Sequence, residues 1–341
     1  MRRLITALST ALLVIAACQA PRTATPATPT QAVATGAATA QPTPNFAGRP
    51  LNIVTGGTGG VYIVYGGGLA NLLTNKLGVS ATAQSTTASV ANMELIRDKK
   101  TDLAFTLSDT AYDAVKGNAA FKDKPATGAR ALAVLYTNFT HIITKADSGI
   151  STVVDLRGKR VSVGSPASGT EVIANRVLEA ASLTQADLQV QKLGIADSAA
   201  ALKDGKIDAF FWSGGLPTSA VTDLANTPGI SLRLIEHEGL TKRMADKYGA
   251  FYFTVTIPKE VYKTPADTKV SGVANLLVAG ASMDEALVKA VLATMFDNKA
   301  ELEKVHPEAK NLTLANAVEG SPIDYHPGAI AYYKDKGAWK K

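Results

Sequence analysis

Residues able to do covalent or metal chemistry are sparse in this chain. There are four histidines, His141, His237, His306 and His326, and one cysteine, Cys18. None of the histidines stands at a metal-ligand spacing from a second histidine or from the cysteine, so no metal site is expected. Ser165 and Ser168 lack the glycine pattern of a hydrolase elbow. Small polar and glycine-rich loops are frequent, each placed between an apolar strand and a helix. One is Gly56-Gly-Thr-Gly-Gly-Val-Tyr62; another is Gly164-Ser-Pro-Ala-Ser-Gly-Thr170. Such a loop leaves backbone N–H groups free at a helix start, which suits an anionic group. A dinucleotide reading of the first loop fails because no acidic residue ends the following strand. Binding without catalysis, with no cofactor, is the chemistry these residues support.

The elements that position the loops occur twice. Leu51 to Thr55 reads as a strand before the first loop, and Lys159 to Val163 as a strand before the second. The first loop enters a helix, and the second enters a helix over Glu171 to Ala181. A helix around Ser89 to Arg97 then leads to Lys100–Thr106, and one over Ser198 to Asp204 leads through Gly205 to Lys206–Trp212. Each repeat ends in small polar residues, Ser108-Asp109 in one and Ser213-Gly214 in the other. Two α/β lobes of one plan imply a ligand cleft at the carboxyl ends of their strands. Arg130–Tyr136 and Phe139–Thr144 read as the crossing to the second lobe, and Phe251–Ile257 as the strand that returns. Helices are expected at Val270–Ala279, Met283–Asn298 and Leu312–Val318, packed on the first lobe. Two crossings make a hinge.

At 341 residues and 46% hydrophobic side chains the chain can bury a large core. Its net charge of +6 is scattered among isolated lysines and arginines, without the basic run or interleaved aromatics that nucleic acid requires. Arg2 and Arg3 precede an apolar run over Leu12–Ala17 that is too short for a stable span and reads as an export signal. Ile15-Ala-Ala-Cys18 has the form of a bacterial lipobox, so Cys18 is the expected lipidation site and the lipid a tether to one membrane face. Residues 19–48, rich in Ala, Thr, Pro and Gln, read as a disordered tether. The expected organisation is a signal peptide over 1–18, the tether over 19–48, a first lobe from 49–135 and 256–341, and a second lobe from 136–255.

From residue 51 to residue 337 the chain resembles the TAXI group of solute receptors that serve tripartite ATP-independent (TRAP) transporters. The resemblance rests on Gly57-Thr58-Gly59-Gly60-Val61-Tyr62, Gln84-Ser85-Thr86 with Ser89 and Asn92, and Ser108-Asp-Thr-Ala-Tyr112. It continues through Asp208-Ala-Phe-Phe-Trp-Ser-Gly-Gly-Leu-Pro217, Ile257-Pro258 with Tyr262, and His326-Pro-Gly-Ala329 with Tyr332, Tyr333 and Gly337. Two departures stand out: Ile63 and Val64 where the group has an aromatic and a proline, and Thr87 and Ala88 where it has two glycines. The resemblance implies a type II-like periplasmic-binding-protein fold, α/β in class, with its cleft between lobes joined by two strands. It implies an extracytoplasmic receptor that takes a small carboxylate, such as a glutamate-like amino acid or a dicarboxylate, to an ion-coupled TRAP permease, 4TM/12TM in type or fused. A binding protein of the same fold serving an ATP-driven importer or a membrane sensor is the alternative; an exported small-acid enzyme on this scaffold is a third.

Combining the repeat with the resemblance gives the candidate ligand contacts. In the first lobe they are Thr58, Gly59, Gly60, Tyr62, Ser89, Asn92, Ser108 and Asp109; in the second, Ser168, Gly169, Thr170, Trp212, Ser213 and Gly214. Several carry a structural alternative. The Gly57–Tyr62 loop also reads as a tight strand-to-helix turn, Ser89 as an N-cap, and Ser168 as a cap in box spacing with Glu171. Asp109 reads either as the partner of a ligand amino group or as a solvated or capping residue. Trp212 reads as a cover over a ligand's carbon chain or as core.

Overall fold

The computed structural model describes residues 45–340. Cys18, the signal and most of the tether therefore lie outside the described residues. In the first lobe, β1 (Pro50–Val54), α1 (Val61–Leu77), β2 (Ser80–Gln84), α2 (Ser89–Arg97), β3 (Leu103–Leu107) and α3 (Ser108–Lys116) follow one another. β4 (Ala129–Lys145) then leaves for the second lobe. There β5 (Arg160–Ser162), α4 (Gly169–Ala180), β6 (Gln189–Gln191), α5 (Ile195–Lys203) and β7 (Ala209–Gly214) repeat the plan. α6 (Ser219–Ala225), β8 (Leu232–Leu234), α7 (Glu238–Tyr248) and β9 (Phe253–Ile257) precede the long β10 (Thr268–Gly280).

The ten strands of the described residues form one sheet, and its main order is β2-β1-β3-β10-β4-β7-β5-β6. Read inward from either edge, the order is the same: β2-β1-β3 then β10, and β6-β5-β7 then β4. Within each lobe the three short strands are parallel, and the long strand beside them is antiparallel. The repeat seen in the sequence is thus a repeat of topology. Parallel strands buried on both faces account for the near-continuous apolar run in β3, whose five residues are all buried.

Two expectations about the crossings need correction. The segments Arg130–Tyr136 and Phe139–Thr144 are one 17-residue strand, β4, whose start pairs with β10 and whose end, from Phe139, pairs with β7. Val270–Ala279, expected as a helix, lies within β10, and it is β10 rather than Phe251–Ile257 that recrosses. β10 pairs with β9 over Thr268–Gly272 and with β3 over Asn275–Ala279. A short apolar run has no period that separates a buried strand from a buried helix, and here the neighbouring strands decide. The helix expected at Met283–Asn298 forms as Glu285–Asp297 and packs on the first lobe, the one expected at Leu312–Val318 is the single turn Leu314–Ala317, and a helix that was not expected, Pro327–Asp335, packs on the first lobe as well. Leu287, Val291, Met295, Tyr332 and Tyr333 join the cluster that holds Leu51, Ile53, Leu69 and Phe105. Among the described residues no helix is long and apolar enough to cross a membrane.

Candidate functional site

A cavity of about 40 Å³ lies where the two lobes meet. Four helix starts line it. From the first lobe come Gly60, Val61 and Tyr62 at the start of α1, and Ala88 and Ser89 at the start of α2. From the second come Ser168, Gly169 and Thr170 at the start of α4, and Gly194 and Ile195 at the start of α5. The N-caps of α1, α2 and α5 are Gly60, Ala88 and Gly194, and none supplies a side-chain hydrogen bond. Each helix start carries N–H groups without an intrahelical acceptor and a partial positive charge; at the start of α2 one of them, the Ala91 amide, donates across the cleft to the Ala167 carbonyl at 3.1 Å. Among the described residues, no Asp, Glu, Lys, Arg or His lines the cavity.

The fourth start is capped. Ser168 Oγ accepts from the Glu171 amide at 3.0 Å, and Glu171 Oε2 accepts from the Ala167 amide at 3.0 Å. The box spacing therefore forms a cap, and Ser168 still lies on the cavity wall. Thr170 Oγ1 accepts from the Ser213 amide at 3.2 Å, which fixes the end of β7 against α4. Ser89 Oγ accepts from the Leu107 amide at 3.2 Å and so ties α2 to the end of β3. The α2 start is bent sharply, with Ala88 at φ 84°, a conformation that costs an alanine about 1 kcal/mol or more. Glycine normally relieves that strain.

The apolar wall comes from Val61, Leu107, Leu193, Ile195, Phe211 and Trp212. Trp212 Nε1 donates to Thr218 Oγ1 at 2.9 Å, and its ring lies against Gly60, where an added Cβ would stand 2.9 Å from Cη2. Gly60 thus permits the ring to bridge from one lobe to the other. Tyr62 donates to Asn275 Oδ1, and Asn275 Nδ2 donates to Asn138 Oδ1. This chain links α1 to both crossing strands beneath the cavity. Burial pushes the phenols of Tyr62 and Tyr136 well above their ordinary range, so both are neutral. The hydroxyls of Ser213 and Tyr136, two buried residues of the cavity wall, have no partner among the described residues.

Of the candidate contacts, Gly60, Tyr62, Ser89, Ser168, Gly169, Thr170, Trp212, Ser213 and Gly214 are brought together here. Five are not. Thr58 is exposed at the loop tip. Gly59 lies beside it, and its carbonyl accepts from the Ala220 amide at 3.3 Å and Ser219 Oγ at 3.2 Å of the opposite lobe. Asn92 is consumed by structure: Nδ2 donates to the carbonyls of Thr55 at 2.6 Å and Phe105 at 2.8 Å. Ser108 is buried behind Leu107, which takes the wall position instead.

Asp109 is the largest correction. It is wholly buried outside the cavity, accepting from Tyr252 Oη and lying 3.3 Å from Arg176 Nη1, while Arg176 Nη2 reaches Asp113. Arg176 stands on α4 and both aspartates on α3, so this ion cluster joins the lobes. Burial opposes the charge on Arg176, but Tyr252, Asp109 and Asp113 together hold its pKa above the ordinary value. Burial raises Asp113 against the pull of Arg176. The pattern Ser-Asp at a strand end could not reveal this, because the partner lies 67 positions away. Tyr136, Asn138 and the α5 start were missed. Asn138 on β4, and Asn275 on β10 beside it in the sheet, are polar residues inside apolar strands, a signal the sequence did contain.

A sheet of two repeated halves, crossed twice and closed over a cavity at the strand ends, is a two-lobed mixed α/β fold. The chain belongs to the NMT1-like family, whose pattern it matches over residues 53–337. Among solved structures it is similar to the periplasmic aliphatic sulphonate binding protein SsuA from Escherichia coli. The identity there is 18% over 85% of this chain and 84% of that one, with a TM-score of 0.45. It is also similar to a putative L-cystine ABC transporter protein from Listeria monocytogenes (14%, 75% and 94%, TM-score 0.46). A third is the GluR0 ligand-binding core from Nostoc punctiforme in complex with L-glutamate (12%, 75% and 97%, TM-score 0.45).

Proposed function

We propose that the protein is an extracytoplasmic solute receptor that closes its lobes on a small organic anion and delivers it to a membrane permease. One observation carries this reading: four helix starts, three without side-chain caps, converge on a cavity with no charged side chain. The Ala91 amide of α2 and the Glu171 amide of α4 have acceptors in the protein; for the other N–H groups of these helix starts a carboxylate suits both the geometry and the partial charge. The cavity offers no general base beside a nucleophile, which favours capture over turnover. On the TAXI resemblance the partner is an ion-coupled TRAP permease, and lipid on Cys18 holds the receptor at the membrane.

Thermal unfolding with small acids tests the ligand class. An acid at one hundred times its Kd stabilises by about 2.7 kcal/mol if it binds only the folded protein. Stabilisation by neutral sugars, with none by any carboxylate, would refute it. Cys18→Ser is expected to move the protein from membrane to soluble fraction in the producing cell; unchanged partitioning would refute the anchor.

A further inference from the structure

We infer that Asn138 is the side chain that donates to the solute's anionic oxygen, and that Tyr62 and Asn275 hold it in place for that bond. The inference rests on the receptor reading above and names the residue that carries its recognition. Tyr62 is then a positioning residue and not a contact.

Asn138 and Asn275 interrupt apolar strands in the middle of the sheet, where they are 1% and 0% exposed. A buried amide is costly unless its polar atoms are paired. Tyr62 lies at one end of the pair, and its phenol is neutral because burial holds the proton on. That phenol donates to Asn275 Oδ1, which turns Asn275 Nδ2 toward Asn138, and Asn138 answers with Oδ1. The direction of the relay leaves Asn138 Nδ2 as its last donor. Asn138 also faces the Tyr62 phenol oxygen, but an amide nitrogen carries two N–H groups. Among the described residues no other acceptor serves Nδ2, and Asn138 lies on the cavity wall. A buried donor that ends a paired chain at a cavity is completed by an acceptor inside that cavity.

The same residue stands where β4 changes partner. Asn138 is opposite Val273 of β10, and the next residue, Phe139, is opposite Gly214 of β7. A bond from the solute to Nδ2 therefore falls on the strand the two lobes share, and the relay ties it to α1 and β10. A neutral amide also brings a donor to the anion without burying a charge in the empty cleft.

Calorimetric titration of L-glutamate, succinate and pyruvate into the parent protein selects the tightest of the three as probe. Hydrogen bonds to ionised groups are the strong ones, so Asn138→Ala is expected to weaken that probe about tenfold or more. Asn138→Asp keeps an acceptor for Asn275 Nδ2 and exchanges only the donor for an oxygen; it is expected to weaken the probe further than Asn138→Ala. Thermal midpoints report folding of each variant. Tyr62→Phe is expected to cost about fivefold in the parent and less than about twofold beside Asn138→Ala, because its effect passes through Asn138. A merely structural tyrosine would cost the same in both backgrounds, and that result would overturn the relay. Parent affinity in Asn138→Ala, or in Asn138→Asp, would overturn the contact and leave the receptor reading standing. Binding of none of the three acids by the parent would remove the carboxylate-receptor reading itself, and the inference with it.

Discussion

The two lobes meet at two buried places that handle charge in opposite ways. At the cavity the polar groups are neutral: helix starts, hydroxyls of Ser89, Thr170 and Ser213, and the phenol of Tyr62. At the ion cluster they are full charges, Arg176 against Asp109 and Asp113, with the guanidinium stacked 4.2 Å from the Tyr248 ring centre. The difference follows from what each must do. The cluster is complete within the protein, so its charges find partners whenever the lobes close. An arginine in the cavity would be buried without a partner each time the empty lobes met, at a cost of several kcal/mol. Fixed dipoles carry no such penalty and are already aimed for the anion proposed above. Closure and recognition are thereby separated into different residues.

The separation can be broken most strongly at the cluster. Arg176→Met leaves Asp109 and Asp113 buried without their cationic partner in the closed form, a cost of about 3–5 kcal/mol. Because opening rehydrates both aspartates, the loss is expected in ligand affinity and in a larger radius of gyration by X-ray scattering. Adding Asp109→Asn and Asp113→Asn is expected to restore most of the affinity. Parent affinity in the single variant would show that the cluster does not hold the lobes together.

Acid separates stability from recognition. Burial pushes His141 and His237 down to about 4 from an ordinary 6.5, so both are neutral in the fold and become charged more readily once unfolded. A depressed folded pKa gives stability that is present above about pH 6.5 and lost as pH falls through 4, about 3 kcal/mol for each histidine. Urea midpoints are expected to fall steadily over that window. Affinity for an ionised acid is expected to stay flat between pH 6 and 8, because the titratable groups of the cavity wall are neutral phenols. Affinity that tracked the histidines would tie recognition to the crossing strands instead.

Smaller changes act on the cavity alone. Gly169→Val drives a side chain into Leu107 and Ser89 across the closed cleft. Overpacking of that kind costs about 1–3 kcal/mol, or roughly 5- to 150-fold in affinity, and the open protein is expected to remain as stable as the parent. Equal affinity would place the ligand elsewhere. Thr170→Ala removes the acceptor of the Ser213 amide and is expected to cost about 1 kcal/mol, read as roughly fivefold weaker binding. No change would leave that hydrogen bond without a part in the site.

The sequence made the repeat legible because each lobe announces itself with the same order of strand, glycine-rich loop and helix. The residues at loop-to-helix junctions, Tyr62, Ser168, Gly169 and Thr170, followed from that order, since a helix start fixes where its N–H groups point. What the sequence hid depends on pairs far apart in the chain. Asp109 could be read as a ligand contact only while Arg176 and Tyr252 were out of sight. Val270–Ala279 looked helical only until β3, β4 and β9 were seen to flank it. Asn138 and Asn275 are the instructive case: each breaks an apolar strand, and together they form the polar link beneath the cavity.

The central claim is that a small carboxylate sits among the four helix starts. Crystals grown with 3-bromopropionate and measured at the bromine absorption edge test it directly. The account predicts a bromine peak against Trp212 and Phe211, with the carboxylate within hydrogen-bond distance of the Gly169 or Thr170 amide. A peak instead in the groove behind the crossing strands, lined by Phe253, Glu308 and Asn311, would contradict it.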